Sequence, residues 1–207
     1  MNNDKILILG SKPNFRIPIL DYKKIYSSNA SAEIAKKYQS KIKKIPHTCI
    51  VGAKNYMKLN EIKKRIINSQ PDELIIRSFK KEYKSYLTNN IKQKFLTNKD
   101  QINIQKVCLK NGLLDLISAE LNYEKKFFRK IQYILKCVLN DELLGFSTGV
   151  FSALYALNEN RNADVILCGI GFEGGQHYYN SGLMTKNRGR VDTELYNKIK
   201  KKYCERI

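Results

Sequence analysis

The chain has 207 residues, 43% of them hydrophobic, and a formal net charge of +19. This length suits one domain of ordinary size, or one domain with an insertion, and the apolar content sustains a buried core, which excludes wholesale disorder. No apolar run approaches the roughly 20 residues of a membrane-crossing helix. The five cysteines are scattered without a CxxC pair, and there are two histidines, His47 and His177. The expectation is therefore no metal site and reduced, buried thiols in a cytoplasmic protein. The start, MNNDKILILGSK, reads as a strand rather than a signal peptide. The positive charge attracts anions: nucleic acid, acidic lipid headgroups, or phosphorylated and carboxylated substrates. Lys, Asn and Ile are abundant together, as an AT-rich genome imposes, so charge alone does not make the chain a nucleic-acid binder.

In chain order, KILILG (5–10) predicts a strand ending at Gly10 and the turn-like SKPN. KIYSSN (24–29) predicts a second strand ending at Asn29, and SAEIAKKYQSKI a helix with Ser31 as its N-cap. HTCIVGA (47–53) is a third strand, LNEIKKRIINSQ a helix with Leu59, Ile62, Ile66 and Ile67 on one face, and DELIIRS (72–78) a fourth strand. Short apolar strands alternating with amphipathic helices imply an α/β fold, a single Rossmann-like domain with a mostly parallel sheet flanked by helices. From about 80 to 141 the pattern changes to a basic, aromatic stretch and then a strongly helical one, LLDLISAELNYEKKFFRKIQYILKCVL. The expectation is one domain over 1–207, with 80–141 a helical insertion or cap. The alternation resumes with a helix over STGVFSALYALNENR (147–161), a strand in ADVILCGIGF and a closing helix, DTELYNKIKKKY, with Asp192 near its start.

Ligands of parallel sheets sit outside the carboxyl ends of strands, which directs attention to the turns after Gly10 and Asn29. Gly10 lets backbone approach a ligand, with Ser11 and Lys12 beside it, although LGSKPN matches neither GxGxxG nor a Walker motif. Asn29 can present a donor and an acceptor to a ribose or base edge; a plain capping turn is the alternative. Ser147, Thr148 and Gly149 open a helix whose free N–H groups suit a phosphate. In CGIGFEGGQHYYN, a loop carries His177, which titrates near neutral pH, and Tyr178 and Tyr179, which can stack and donate. Lys186, Arg188 and Arg190 precede the closing helix, where guanidinium groups suit phosphates and carboxylates.

Taken in order, LGSKPN, SSN, STGV, CGIGF, HYY and the basic loop before the last helix resemble the bacterial sialyltransferases and related CMP-sugar transferases. Residues 145 to 203 carry most of the resemblance. It implies inverting, metal-independent transfer of an acidic sugar, sialic acid or Kdo-like, from a CMP-activated donor to a glycan or glycolipid acceptor, with no cofactor. It nominates Gly10, Ser11, Asn29, Ser147, Thr148 and Gly149 for the nucleotide, and Tyr178, Tyr179 and Arg188 for the departing phosphate. Two departures stand out. Ser11 and Lys12 replace the nucleotide-binding Asn of the family's first turn, and Arg190 occupies the place of its catalytic His. An Arg stays protonated and cannot act as a base at neutral pH. Either another group serves, or the chain is impaired or has different chemistry. His177 is the substitute favoured by ionisation, Asp192, Glu194 and Glu173 are carboxylate alternatives, and Arg190 is free to bind the donor. No DxD occurs in the chain, in keeping with metal-independent transfer.

The competing expectation is a non-catalytic basic α/β module that binds nucleotide, polyanionic glycan or nucleic acid through the Lys- and aromatic-rich stretch 79–95. A peripheral position on the anionic inner face of a membrane is compatible with the transferase reading and accounts for the charge without nucleic acid.

Overall fold

In a computed structural model, the apolar runs of the chain line up as neighbouring strands of one sheet. The structure describes residues 3–53, 56, 59–78, 91–110, 127–129, 131–132, 135, 147–171, 175–177, 180–184, 192–194 and 196–199. The sheet has six strands, β1 (Lys5–Leu9), β2 (Tyr22–Ser28), β3 (His47–Gly52), β4 (Glu73–Arg77), β5 (Lys92–Leu96) and β6 (Asp164–Cys168), in the order β5-β4-β3-β2-β1-β6. Every neighbouring pair is parallel. This is the α/β, Rossmann-like architecture expected from the alternation.

Alternate residues of each strand enter opposite layers, as the two-residue period requires. Ile6, Ile8, Tyr26, Ile50 and Ile75 face a layer built from α3 (Asn98–Leu109) and α4 (Thr148–Glu159). Leu7, Leu9, Ile25, Cys49, Val51 and Leu74 face α1 (Ala32–Gln39) and α2 (Asn60–Ser69). Helices on both faces explain why β1 is apolar throughout rather than alternating. Helix α4 is the most enclosed: all eight residues from Val150 to Leu157 are buried. That is why its sequence shows no polar stripe.

The structure departs from the sequence reading within 80–141. The alternation continues there, because residues 92–96 form the edge strand β5 and α3 packs Ile104 and Cys108 into the core. Strand β5 is hard to see in sequence because its first three residues, Lys92, Gln93 and Lys94, are all polar. Lys92 and Lys94 are exposed on this edge strand, where charged side chains discourage pairing with another edge. Lys92 pairs with Glu73 at 3.2 Å, and the Lys94 ammonium donates to the Tyr155 hydroxyl at 2.8 Å. Helix α3 begins in a capping box: Asp100 N–H donates to Thr97 Oγ1, and Thr97 N–H to Asp100 Oδ2. Most other residues of 80–141 lie outside the described set.

His47, one of the two histidines, opens β3 and is buried at 2% exposure, with Nε2 2.8 Å from Ser27 Oγ. Its Nδ1 has no hydrogen-bond partner. Protonation would therefore bury both a charge and an unsatisfied N–H. Desolvation lowers the pKa to about 4, against a smaller opposing effect of Asp72. The folded protein thus holds His47 neutral, while an unfolded chain protonates it near pH 6.5. Stability from this group is complete above pH 6.5 and is lost as pH falls towards 4, on the order of 3 kcal/mol across the window. His47→Gln should flatten that part of the pH dependence. Denaturant titrations of both proteins at pH 7 and pH 4.5 would show it as a smaller loss of stability in the variant.

Candidate functional site at the carboxyl edge of the sheet

From β1 to β5 the chain steps outward in one direction, and β6 then returns to the far side of β1. The direction of winding reverses between β1 and β6, so this is the topological switch point, where open α/β sheets bind ligands. The loops leaving these two strands are locked together. Gly10 N–H donates to Cys168 O at 2.7 Å, and Lys12 N–H to Gly169 O at 2.8 Å. A Cβ on Gly10 would stand 2.2 Å from Gly169 O and 2.6 Å from its carbonyl carbon. Gly169 has φ +69, and the Phe15 ring fills the space where its own Cβ would be. The glycine after β1 therefore allows a close approach to another loop of the same chain. Ser11 beside it is 8% exposed, whereas Lys12 is exposed.

The turn after β2 is tied to the same place. Ser28 Oγ donates to Leu9 O at 3.1 Å, and Ser31 Oγ lies 2.8 Å from Leu9 O while accepting from Ser28 N–H. Both serines thus bind the carbonyl that ends β1. Between them Asn29 takes a left-handed φ of 54, a conformation Asn tolerates better than most side chains. Its backbone carbonyl accepts from Cys49 Sγ at 3.5 Å; burial pushes that thiol up to about 12, so it keeps its proton. The Asn29 side chain is 8% exposed, and its Oδ1 is buried without a hydrogen-bond partner. Buried amide oxygens are ordinarily satisfied, and one left bare at a switch point suits a ligand's N–H or O–H.

Beyond β6, the start of α4 closes the other side. Gly149 lies against the Ile170 side chain, which its missing Cβ would meet at 3.5 Å. Ser147 is the N-cap, its hydroxyl accepting from Val150 N–H at 3.4 Å. Asp192, wholly buried, accepts the Ser147 N–H through Oδ1 at 2.8 Å. A carboxylate at a helix N-terminus is favoured by the helix dipole, so part of the anion-binding capacity expected of this turn is met by the chain's own Asp192. That bond also fastens the start of the closing helix, residues 192–194 and 196–199, to α4.

The structure therefore brings Gly10, Ser11, Asn29, Ser147, Thr148, Gly149 and Asp192 to one edge. Asp192 sits there as an interior cap rather than an exposed base. His177 is the last residue of strand β7 (Gly175–His177), which pairs antiparallel with β8 (Asn180–Met184). A strand pair thus stands where the sequence suggested a loop. Glu173, Tyr178, Tyr179, Lys186, Arg188 and Arg190 lie outside the described residues. Sequence reasoning passed over Gly169 as a residue in its own right, although its place directly after a strand is the signal that found Gly10. It also passed over Arg77, buried at the carboxyl end of β4. There the guanidinium lies 4.4 Å from the Phe151 ring centre, and Nε–H donates to Gln101 Oε1 at 2.8 Å. A lone cation closing the run LIIR was its trace in the sequence.

Two open recesses lie elsewhere. One of about 560 Å³ separates α1 from α2 and is lined by Lys36, Lys64 and Arg65; the other, about 670 Å³, lies at the amino edge beside Lys24 and Asn160. Neither touches the switch point. Strand topology and the bare Asn29 oxygen are stronger indicators of a site than recess volume, because solvent-exposed clefts between helices form without any ligand. Comparisons with family models, curated proteins and solved structures return no match.

Two substitutions probe this edge. Gly10→Ala forces Cβ against backbone that cannot rotate away and should cost about 3 kcal/mol of stability. Asp192→Asn keeps an acceptor but removes the charge and should cost about 1 kcal/mol, while Asp192→Ala leaves Ser147 N–H unpaired and should cost about 3 kcal/mol. Unfolding titrations at pH 7 would establish whether that order holds.

Proposed function

We propose that the chain is an inverting, metal-independent glycosyltransferase that moves an acidic sugar of the sialic acid or Kdo class from a CMP-activated donor to a glycan or glycolipid acceptor. The observation that carries this reading is the gathering of three segments, LGSKPN, SSNAS and STGV, around the end of β1, with the bare Oδ1 of Asn29 among them. These are the segments that the family resemblance assigns to the nucleotide. Asn29 would accept from the nucleoside, and the Thr148 and Gly149 turn would face the phosphate.

In the reaction, an acceptor hydroxyl oxygen bonds to the anomeric carbon as the bond from that carbon to the phosphate oxygen breaks. CMP departs with the bonding pair, and the acceptor's proton passes to a base. His177 takes that role here, because Asp192 is enclosed against Ser147 and Arg190 cannot accept a proton. Tyr178, Tyr179 and Arg188 stabilise the charge developing on the phosphate, and Arg190 is suited to the carboxylate of the donor sugar.

A second reading has its own support. The burial of Asp192 and the Arg at position 190 leave His177 as the main candidate base, so a protein that binds the nucleotide without turnover is the alternative. Chromatographic assay of CMP release from CMP-sialic acid and CMP-Kdo, with and without glycan acceptors, separates the two. Turnover that falls about 100-fold or more in His177→Ala is the expected result. CMP binding without release from any donor would favour the binding module, and unchanged turnover in His177→Ala would remove His177 from the mechanism.

A further inference from the structure

Residues 127–129, 131–132 and 135 are helical, and they expose apolar side chains. Phe127 is 70% exposed, Phe128 80%, Ile131 40% and Leu135 49%. At 3.6 residues per turn these four fall within an arc of about 100°, forming one stripe. The two Phe rings stand edge-on, with centroids 6.1 Å apart. Arg129, also exposed, falls on the opposite side of the helix. In sequence, the stretch EKKFFRKIQYILK also carries Lys125, Lys126, Lys130 and Lys136. Large exposed aromatic side chains in a row are uncommon on a free surface and mark something that covers them.

We propose that this helix docks in the plane of an anionic bilayer, with Phe127, Phe128, Ile131 and Leu135 inserted among the acyl chains and the basic residues against the headgroups. An apolar stripe within a strongly basic sequence is the pattern of an interfacial helix. The whole chain, at +19, is drawn to an acidic leaflet before any insertion occurs. The same charge opposes the other simple occupant, a second copy, which would bring two strongly cationic chains together. Among the described residues no helix is long and apolar enough to cross a membrane. The inference stands independently of the transferase reading.

The chain has no Trp, so Phe128→Trp introduces a single reporter at the centre of the stripe. Its emission should shift to the blue with phosphatidylglycerol-containing vesicles, should be quenched by brominated acyl chains, and should stay unchanged with pure phosphatidylcholine. In co-sedimentation, the double substitution Phe127→Ser with Phe128→Ser should weaken binding to the anionic vesicles at least about tenfold, with an unchanged circular dichroism spectrum. Equal binding by wild type and the double variant, or a reporter that stays in water while the protein sediments, would overturn the proposal in favour of charge alone. A concentration-dependent dimer abolished by the double variant, with no vesicle-induced shift, would overturn it in favour of a second copy.

Discussion

The close approach of Gly10 to Gly169 is the constraint from which the site follows. Parallel strands β1 and β6 would ordinarily diverge once their ladder ends. Here two further backbone hydrogen bonds, Gly10 to Cys168 and Lys12 to Gly169, keep their loops together. No side chain fits between them. The contact sets where Phe15 packs, where Ile170 meets α4, and where the carbonyl of Leu9 is offered to Ser28 and Ser31. The turn carrying Asn29 is therefore positioned by β1 as much as by its own strand.

Charge at this edge is arranged from inside. Asp192 occupies one end of the α4 N-terminus and links the closing helix to it. The interior thus uses a carboxylate for part of the anion-binding capacity of this turn, at Ser147, and the proposed phosphate contact falls to Thr148 and Gly149. A carboxylate held at full burial in a chain of net +19 acts as an anchor for the fold. It leaves the catalytic burden of the proposed transfer to His177, on a strand pair apart from the main sheet. His47 is neutral and interior, which leaves His177 as the histidine that the proposed transfer would use.

The parallel sheet was legible because KILIL, HTCIV, ELIIR and DVILC are apolar runs of strand length bounded by glycine, proline or polar turns. Strand β5 was hidden by the polarity that an exposed edge demands, and so the extent of the sheet into 92–96 was missed. For the site, the positions of Gly10, Asn29 and the STGV turn at strand and helix ends were visible in the sequence. Their partners were not. That Gly10 meets Gly169 and that Asp192 meets Ser147 are contacts across 159 and 45 residues of chain, and local pattern carries no information about them. The hydroxyls of Ser28 and Ser31 could be read as turn-formers, yet their acceptor on β1 could not.

The proposed transfer requires a cytidine nucleotide to bind at the end of β1 against Asn29. Calorimetric titration of the protein with CMP, UMP, GMP and AMP at moderate salt, repeated on Asn29→Ala, tests this most directly. Selective binding of CMP that weakens about tenfold in the variant is the expected result, in line with loss of one buried hydrogen bond. Equal, weak and salt-sensitive binding of all four nucleotides, unchanged by Asn29→Ala, would contradict it and leave only a basic surface that attracts phosphate.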